Sequence, residues 1–345
     1  MERDSQIPAM LAFCTVILIA AALYFTRPLF APLAFAVFIL AIVWPFTKAL
    51  QKWLPKVIAL FLTLSVTIVV VVAFASVIAW ALSAIADWLL NNVQRFQSHY
   101  VQLTQWLEAH DIFVAGILAE RFNVMWLLRL FQEIAGRLNR LAGFAILIFI
   151  FLMIGLLEID GFRQRIAALD KERGVKLVQA SSEIASKFRR YILVRTLLSV
   201  LTGLAIWGFA LLAGLEPAAA WGLLAFALNY IPFMGPFVAT MLPALFAIAQ
   251  LDSWQAIMLV FMGLTVIQFL IGNYLEPLVA GAALTISPFA VVFAVFFWTF
   301  LWGIPGAFIG VPIMITIITL CAQYPSTRWV ATLLGKPWNE VPNGS

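Results

Sequence analysis

Few side chains in the C-terminal part of the chain can do chemistry. Residues 196–327 contain only three charged side chains, all acidic, in an otherwise apolar sequence. One of them, Glu276, stands directly before Pro277 and therefore at a predicted helix break, and an ionisable group in an apolar segment indicates a functional site. Asn229, Gln268 and Asn273 add amide donors and acceptors. This set favours hydrogen bonding to a polar solute, although an interfacial Glu276 that faces water is an equally good interpretation.

Backbone groups at proline and glycine breaks could add to this site. Apolar segment 218–250 is interrupted at 229–236, and segment 290–323 is interrupted at 303–306 and again at 310–312. Proline removes a backbone donor and disrupts a helix, and glycine lets backbones approach closely. At membrane depth, the freed groups need protein or a water-filled cavity. We expect the two breaks to approach from opposite sides and bracket a substrate site, with these residues: Asn229, Pro232, Gly235, Pro236, Gln268, Asn273, Glu276, Gly303, Pro305, Gly306, Gly310 and Pro312.

Other site chemistries find little support. The chain has two histidines, His99 and His110, both in a polar stretch, and we do not expect them to form a metal pair. Cys14 and Cys321 are far apart in sequence and indicate no disulfide or metal framework. HExxH, a GxSxG motif with a partner and a phosphate-binding loop are missing from the sequence. We therefore expect no enzyme activity, no cofactor and no metal.

The composition indicates a membrane protein. Of 345 residues, 64% are hydrophobic and 11% are charged, and the mean hydropathy is +1.03. A soluble protein is about half apolar and about a quarter charged. The apolar runs are long and continuous, which excludes a β-barrel and predicts an all-α polytopic membrane protein with about eight hydrophobic segments. The net charge of +5 comes from loops, so nucleic acid is not an expected partner.

Charge and hydropathy divide the chain into five regions. Region 83–140 carries five Arg and five acids, whereas 158–195 carries nine Lys/Arg against five acids. The positive-inside rule therefore places 83–140 outside and 158–195 inside, with both termini cytoplasmic. The predicted regions are N-terminal spans 1–82, an extracytoplasmic amphipathic helical region 83–140, a span with a basic cytoplasmic region 141–195, a transport core 196–327 and a cytoplasmic tail 328–345.

Region 83–140 also contains a heptad seam. Apolar residues recur from Leu89 to Leu107 at steps of three and four on an otherwise polar helix. Such a seam packs within the region, on the membrane surface, or against another subunit. Together with the wide apolar spans, it predicts a homo-oligomer.

The two broken segments recur as an inverted repeat. Segment 218–250 has 33 residues, and one helix of that length would be ~50 Å long against a hydrocarbon core of ~30 Å. Two alternatives stay open: a re-entrant hairpin, or additional full spans with proline kinks. The first break, at Ile231-Pro232, returns 73 residues later as Ile304-Pro305. Broken segments at matching positions of two halves are typical of transporters.

Two motifs resemble a known family. They are Trp221-Gly-Leu-Leu-Ala-Phe-Ala-Leu-Asn-Tyr-Ile-Pro-Phe-Met-Gly-Pro236 and Gly272-Asn-Tyr-Leu-Glu-Pro277. With the later residues Gly281, Leu284, Pro288, Gly303, Gly306, Gly310 and Pro312, they resemble the autoinducer-2 exporter family of bacterial inner-membrane permeases. Family members often carry a basic residue directly after the glycine at 281, whereas this chain has Ala282.

Three alternatives for function stay open, and the resemblance implies the first two. The first is a secondary transporter that exports a small polar molecule, the quorum-sensing signal autoinducer-2. The second is a cation/proton (Na⁺/H⁺) antiporter of the same family. The third, suggested by the heptad seam, is a non-transporting oligomeric scaffold. The resemblance also implies a location in the bacterial inner membrane and a ring-shaped oligomer, a pentamer.

Overall fold

The computed structural model describes residues 2–95, 98, 124–168, 171–251, 253–280 and 286–335, and no strand occurs among them. The helices are α1 Glu2–Phe25, α2 Arg27–Leu50, α3 Lys56–Asn91, α4 Val124–Ala168, α5 Lys171–Leu212, α6 Ala218–Leu228, α7 Met234–Gln250, α8 Trp254–Leu270, α9 Glu276–Ala280, α10 Pro288–Trp302, α11 Ile304–Gln323 and α12 Arg328–Leu334. A π-helical turn, Ile271–Leu275, joins α8 to α9.

Six helical segments of the described chain are long and apolar enough to cross a membrane. They are Arg27–Leu50, Lys56–Asn91, Gly143–Ala168, Gly174–Leu212, Trp254–Val279 and Ile304–Gln323. Shorter apolar helices are Cys14–Phe25, Ala218–Leu228, Met234–Gln250 and Pro288–Trp302. The predicted all-helical fold is confirmed in these residues. The number of crossings and the re-entrant path of the broken segments stay predictions.

The chain forms two compact units. Unit 1 contains Met1–Thr67, Gly143–Tyr191 and Ala282–Ser345, and unit 2 contains Ile68–Ala142 and Ile192–Gly281. Apolar side chains of α3, α5, α6, α7 and α8 form the core of unit 2 around the buried Trp221 and Phe246. In unit 1, one apolar cluster joins α2 to α10 and α11, and a second joins α2 to α3 and α4.

The first broken segment is a helical hairpin in unit 2. Helix α6 ends at Leu228 and α7 begins at Met234, so the break falls within the predicted stretch 229–236. Trp221 packs edge-to-face on Phe246 between the two arms, with ring centroids 4.9 Å apart. At the open end, the Gln250 side chain accepts from the Glu216 backbone N–H at 2.7 Å and donates to the Glu216 carbonyl at 2.6 Å.

The second broken segment is a helical hairpin in unit 1, with a shorter break than the sequence predicts. Only Gly303, at φ 68°, separates α10 from α11. A Cβ at Gly306 would overlap the carbonyl of Trp298, and one at Gly310 would lie 2.8 Å from the carbonyl of Ala294. The arms are therefore in backbone contact. Pro312 lies inside α11 and does not end it, which corrects the expectation of a second interruption at 310–312.

Several predicted features lie outside the described residues. They include both histidines, most of the heptad seam and Asp252 of the C-terminal acidic residues. Gly281, Ala282 and Leu284 of the family motif also lie outside them. Leu89, the first residue of the seam, is described and is fully buried in the core of unit 2.

Candidate functional site

Three polar side chains of unit 2 lie on one turn of α5, where the helix packs against other elements of the unit. Arg195 and Ser199 lie four residues apart and therefore share a face, and Thr196 lies beside Arg195. Ser199 is fully buried and Arg195 is 7% exposed, although the flanking sequence is apolar. Buried polar groups need partners, because an unpaired one costs about 1–3 kcal/mol. Each of these three side chains has a hydrogen-bond partner in one of the two motifs that resemble the family.

Arg195 pairs with Glu276, the acidic residue of the second motif. Its Nη2 lies 3.1 Å from Oε1 of Glu276, and its Nη1 donates to Oε2 at 3.3 Å. The two parallel contacts make a bidentate ion pair, which fixes the relative orientation of α5 and α9. The Glu276 side chain retains 35% of its exposure, so the carboxylate is accessible from one side.

The tip of the α6–α7 hairpin contacts the same turn of α5. Asn229 is 5% exposed, and its Nδ2 donates to Oγ of Ser199 at 3.3 Å. The Tyr230 hydroxyl donates to Oγ1 of Thr196 at 3.0 Å. Phe74 packs edge-to-face on the Tyr230 ring at 5.6 Å and restricts its orientation. The hydrogen bond of Asn229 thus connects the hairpin tip to α5.

The hairpin tip contains a strained residue. Phe233 has φ 62° and ψ −53°, and the Met234 N–H donates to the Pro232 carbonyl at 2.7 Å across it. This is a γ-turn with positive φ, which is rare for a residue with a side chain and is strained by about 1–3 kcal/mol. Gly235 follows, and a Cβ there would overlap the carbonyl of Leu228. The tip is therefore closed so tightly that only glycine fits at 235.

A π-helical turn stands where the sequence predicted a helix break at Glu276. The Glu276 N–H donates to the carbonyl of Ile271, five residues earlier, and α9 continues through Pro277. The helix is thus re-wound and not broken, and the extra residue shifts the register of every side chain that follows. Single π turns inside helices are frequent at functional sites.

The two amides of α8 and the π turn differ in their surroundings. Asn273 is exposed, and its Nδ2 donates to the Phe269 carbonyl of its own helical segment at 3.2 Å. Gln268 is half-buried, and its Nε2 has no hydrogen-bond partner among the described residues. An unpaired buried amide calls for an explanation, and a bound solute is one.

The predicted site residues fall into two groups. Asn229, Pro232, Gly235, Pro236, Gln268, Asn273 and Glu276 belong to unit 2. Gly303, Pro305, Gly306, Gly310 and Pro312 belong to unit 1, where they form the tip and the close-packed arm of the second hairpin. Within unit 2, the structure brings Asn229 and Glu276 to one turn of α5, through Ser199 and Arg195 respectively.

Sequence reasoning missed Arg195, Thr196 and Ser199. Arg195 was counted among the nine cations of 158–195, which charge alone assigns to a loop. In the structure it lies inside α5, a helix that runs without interruption from Lys171 to Leu212. One signal was available in the sequence. Arg195 is the last cation before a long apolar run whose only charged residues are acidic. A carboxylate in an apolar run needs a partner, and Arg195 is the nearest cation on the N-terminal side of Glu276 in the sequence.

The charge of this polar turn is balanced. Arg195 and Glu276 are of opposite sign, and the other groups, Thr196, Ser199, Asn229 and Tyr230, are neutral donors and acceptors. No group of three His, Cys, Asp or Glu that could hold a metal ion occurs in the part of the chain that the structure describes. The arrangement suits hydrogen bonding to a polar solute.

Comparison with known proteins gives a consistent match. The family model for AI-2E family transporters matches residues 13–326 of the sequence. The AI-2 transport protein TqsA of Escherichia coli (strain K12) is 27% identical over 326 residues, which cover 92% of this chain and 93% of TqsA. YrrI of Bacillus subtilis (strain 168), provisionally named a transport protein, is 25% identical over 90% of this chain and 94% of its own length.

Proposed function

Because the chain belongs to the AI-2E transporter family, we propose that it exports a small polar molecule from the bacterial cytoplasm, and that autoinducer-2 is this molecule. The family is one of transport proteins, and the apolar helices make the chain a multi-pass membrane protein. The name of TqsA, an AI-2 transport protein similar over nearly the full length of both chains, supports the choice of substrate. The inner membrane is the proposed location.

The observation that carries the proposal is the polar turn of α5 in unit 2. Arg195, Thr196 and Ser199 contact the hairpin tip and the segment after the π turn, in a part of the chain that is otherwise apolar. Buried hydrogen-bonding groups that are paired with each other can exchange those partners for the hydroxyl and carbonyl groups of a solute. A neutral or weakly charged polyhydroxylated molecule matches a site with a balanced ion pair and several hydroxyls.

The length of α6 supports a re-entrant path for the first hairpin. Its 11 residues extend ~16 Å, about half of the ~30 Å hydrocarbon core. Helix α6 is therefore too short to cross the membrane, and the hydrogen bonds between Gln250 and Glu216 hold the two outer ends of the hairpin together. The tip with Asn229 and Phe233 then lies at membrane depth, where its backbone groups line the substrate path.

Transport in this account depends on movement of the hairpin tip. The two hydrogen bonds to α5 hold the tip in the conformation that contains the strained γ-turn at Phe233. A solute that takes over the hydrogen bonds of Asn229 and Tyr230 shifts the balance towards a second conformation, because it binds the two states differently. Alternating exposure of the site to the two membrane faces follows from this exchange.

The cation/proton antiporter is the second candidate, and Glu276 is the observation that favours it. Its carboxylate is partly exposed and is the ionisable group that a coupling cation would approach. The bidentate contact with Arg195 opposes this role, because the guanidinium already balances the charge. A non-transporting scaffold would use the predicted seam of 83–140, and no described contact favours it.

Uptake into inverted membrane vesicles distinguishes these functions. Vesicles that contain the protein should accumulate autoinducer-2 above vesicles without it, and Na⁺ or Li⁺ alone should produce little proton movement in a pH-dye assay. A cation-driven proton flux without uptake of autoinducer-2 would establish the antiporter. Absence of both activities in correctly inserted protein would favour the scaffold.

The topology and the oligomer also belong to this proposal. Region 83–140 is proposed to lie outside, 158–195 and both termini to lie in the cytoplasm, and the protein to form a homo-oligomer, a pentamer by family resemblance. The charge balance of the two regions supports the orientation.

A further inference from the structure

Basic side chains cluster at the C-terminal end of α2 in unit 1. Segments 47–56 and 158–165 carry five Lys/Arg against two acids. Two contacts bring segment 158–165 against the end of α2: Lys48 Nζ lies 2.6 Å from Oδ2 of Asp160, and the guanidinium carbon of Arg163 lies 4.7 Å from the centroid of the Trp44 ring. We call the five cations of these segments the basic patch; they are Lys48, Lys52, Lys56, Arg163 and Arg165. The patch retains a positive charge after Lys48 has paired.

Three exposed aromatic side chains lie within two residues of the cations of the basic patch in the sequence. Trp53 lies next to Lys52 in the short loop between α2 and α3 and is 88% exposed. Phe162, next to Arg163, is 59% exposed, and Phe46 is 45% exposed. Tryptophan prefers the boundary between hydrocarbon and headgroups, and cations beside it face the phosphates. Exposed rings close in sequence to cations are typical of segments that lie at the headgroup level of a bilayer.

We propose that the basic patch binds the headgroup of an anionic phospholipid. Lys52 and Lys56 donate to the phosphodiester, and the Trp53 ring inserts beside the acyl chains. Arg163, oriented by its stacking on Trp44, supplies planar donors to the same phosphate. The exposed rings select a lipid over free phosphate, because inorganic phosphate offers them no apolar contact. This site lies in unit 1 and does not depend on the transported substrate.

The chain contains a matched control at the other end of α2. The guanidinium carbon of Arg27 lies 5.7 Å from the centroid of the Tyr24 ring, so this arginine also stacks on an aromatic side chain. Arg27 is the only charged residue between positions 18 and 35. The variant Arg27→Gln therefore removes one stacked arginine that lies outside the basic patch, and it serves as the control for the loss of Arg163.

Native mass spectrometry and thermal unfolding in detergent test the proposal. The wild type should retain phosphatidylglycerol at least fivefold more than phosphatidylcholine, and phosphatidylglycerol should raise its unfolding temperature. The triple variant Lys52→Gln/Lys56→Gln/Arg163→Gln should lose this preference, while Arg27→Gln keeps it. The double variant Lys52→Gln/Lys56→Gln alters two exposed side chains only and should lose part of it, even if the triple variant unfolds.

Three results would overturn the proposal. The first is equal retention of the two lipids by the wild type. The second is an unchanged preference for phosphatidylglycerol in both multiple variants. The third is an equal rise in unfolding temperature with inorganic phosphate alone, which would show that the patch binds the anion and not the lipid.

Discussion

Replacing Arg195 by methionine should slow transport by breaking the ion pair that connects α5 to the segment after the π turn. The contacts are 3.1 and 3.3 Å long, and hydrogen bonds to charged groups contribute about 1.5–3 kcal/mol each in buried sites. The Glu276 side chain is 35% exposed, so water screens the pair and we expect a coupling of about 1–3 kcal/mol in total. This corresponds to about a 5- to 150-fold fall in rate.

The initial rate of autoinducer-2 uptake into inverted vesicles, at equal amounts of inserted protein, measures this effect. Arg195→Lys should retain part of the rate, because lysine keeps the charge but loses the bidentate geometry. Glu183→Gln is a matched control, since Glu183 pairs with Lys187 on the same helix and its side chain is 45% exposed. An exposed i,i+4 pair contributes only about 0.3–0.5 kcal/mol to stability, so the uptake rate of the Glu183→Gln variant should fall less than about threefold.

A double-mutant cycle decides whether the pair itself is responsible. The effects of Arg195→Met and Glu276→Gln should be strongly non-additive, because the second change removes a partner that the first has already lost. If the two effects add within about 0.5 kcal/mol, the residues act independently and the reasoning is refuted.

Four further predictions concern the hairpins, the topology and the assembly. Gly235→Leu and Gly306→Leu should stop uptake while membrane insertion continues, because a side chain at either position overlaps a backbone carbonyl of the facing arm; wild-type rates would show that the breaks are only packing kinks. Asn229→Ala should raise the KM for autoinducer-2 several-fold and lower the unfolding free energy by about 1–3 kcal/mol, because the buried Ser199 loses the Asn229 amide; a lower unfolding free energy with an unchanged KM would assign Asn229 a structural role alone. In a variant without the two native cysteines, an impermeant thiol reagent should label a cysteine at Gln97 from outside and not one at Gln179, and labelling of Gln179 alone would invert the topology. Native mass spectrometry in mild detergent should show a homo-oligomer, and a monomer alone would count against the proposed assembly.

The breaks in the apolar segments could be predicted from sequence because proline and glycine act locally. Pro232 lies in the gap between α6 and α7, and Gly303 separates α10 from α11, as the pattern indicated. Pro312 carries the same local signal, but α11 continues through it. The difference lies in the packing: Gly310 brings α11 against the backbone of α10, and this tertiary contact holds the helix together across a missing hydrogen bond.

Contacts between distant elements could not be predicted from the same pattern. Arg195 lies 81 residues before Glu276, and nothing in the local sequence connects them. The loop charges assigned Arg195 to a basic surface, because cations next to an apolar run usually lie in water. The π turn was equally hidden, because the register shift follows from how Ile271–Leu275 packs and not from the residue types. Asn273 was expected at the site and is exposed, bonded to its own helical segment.

Protection of one cysteine by the substrate tests the central claim, that the polar turn of α5 contacts the transported molecule. Thr196 is partly exposed and bonds to the hairpin tip, so Thr196→Cys in a background without native cysteines reports on the site. Saturating autoinducer-2 should slow its reaction with a water-soluble maleimide several-fold. Labelling of Ser253→Cys, at an exposed position between α7 and α8, should not change. Equal labelling of Thr196→Cys with and without autoinducer-2, in protein that transports it, would contradict the account.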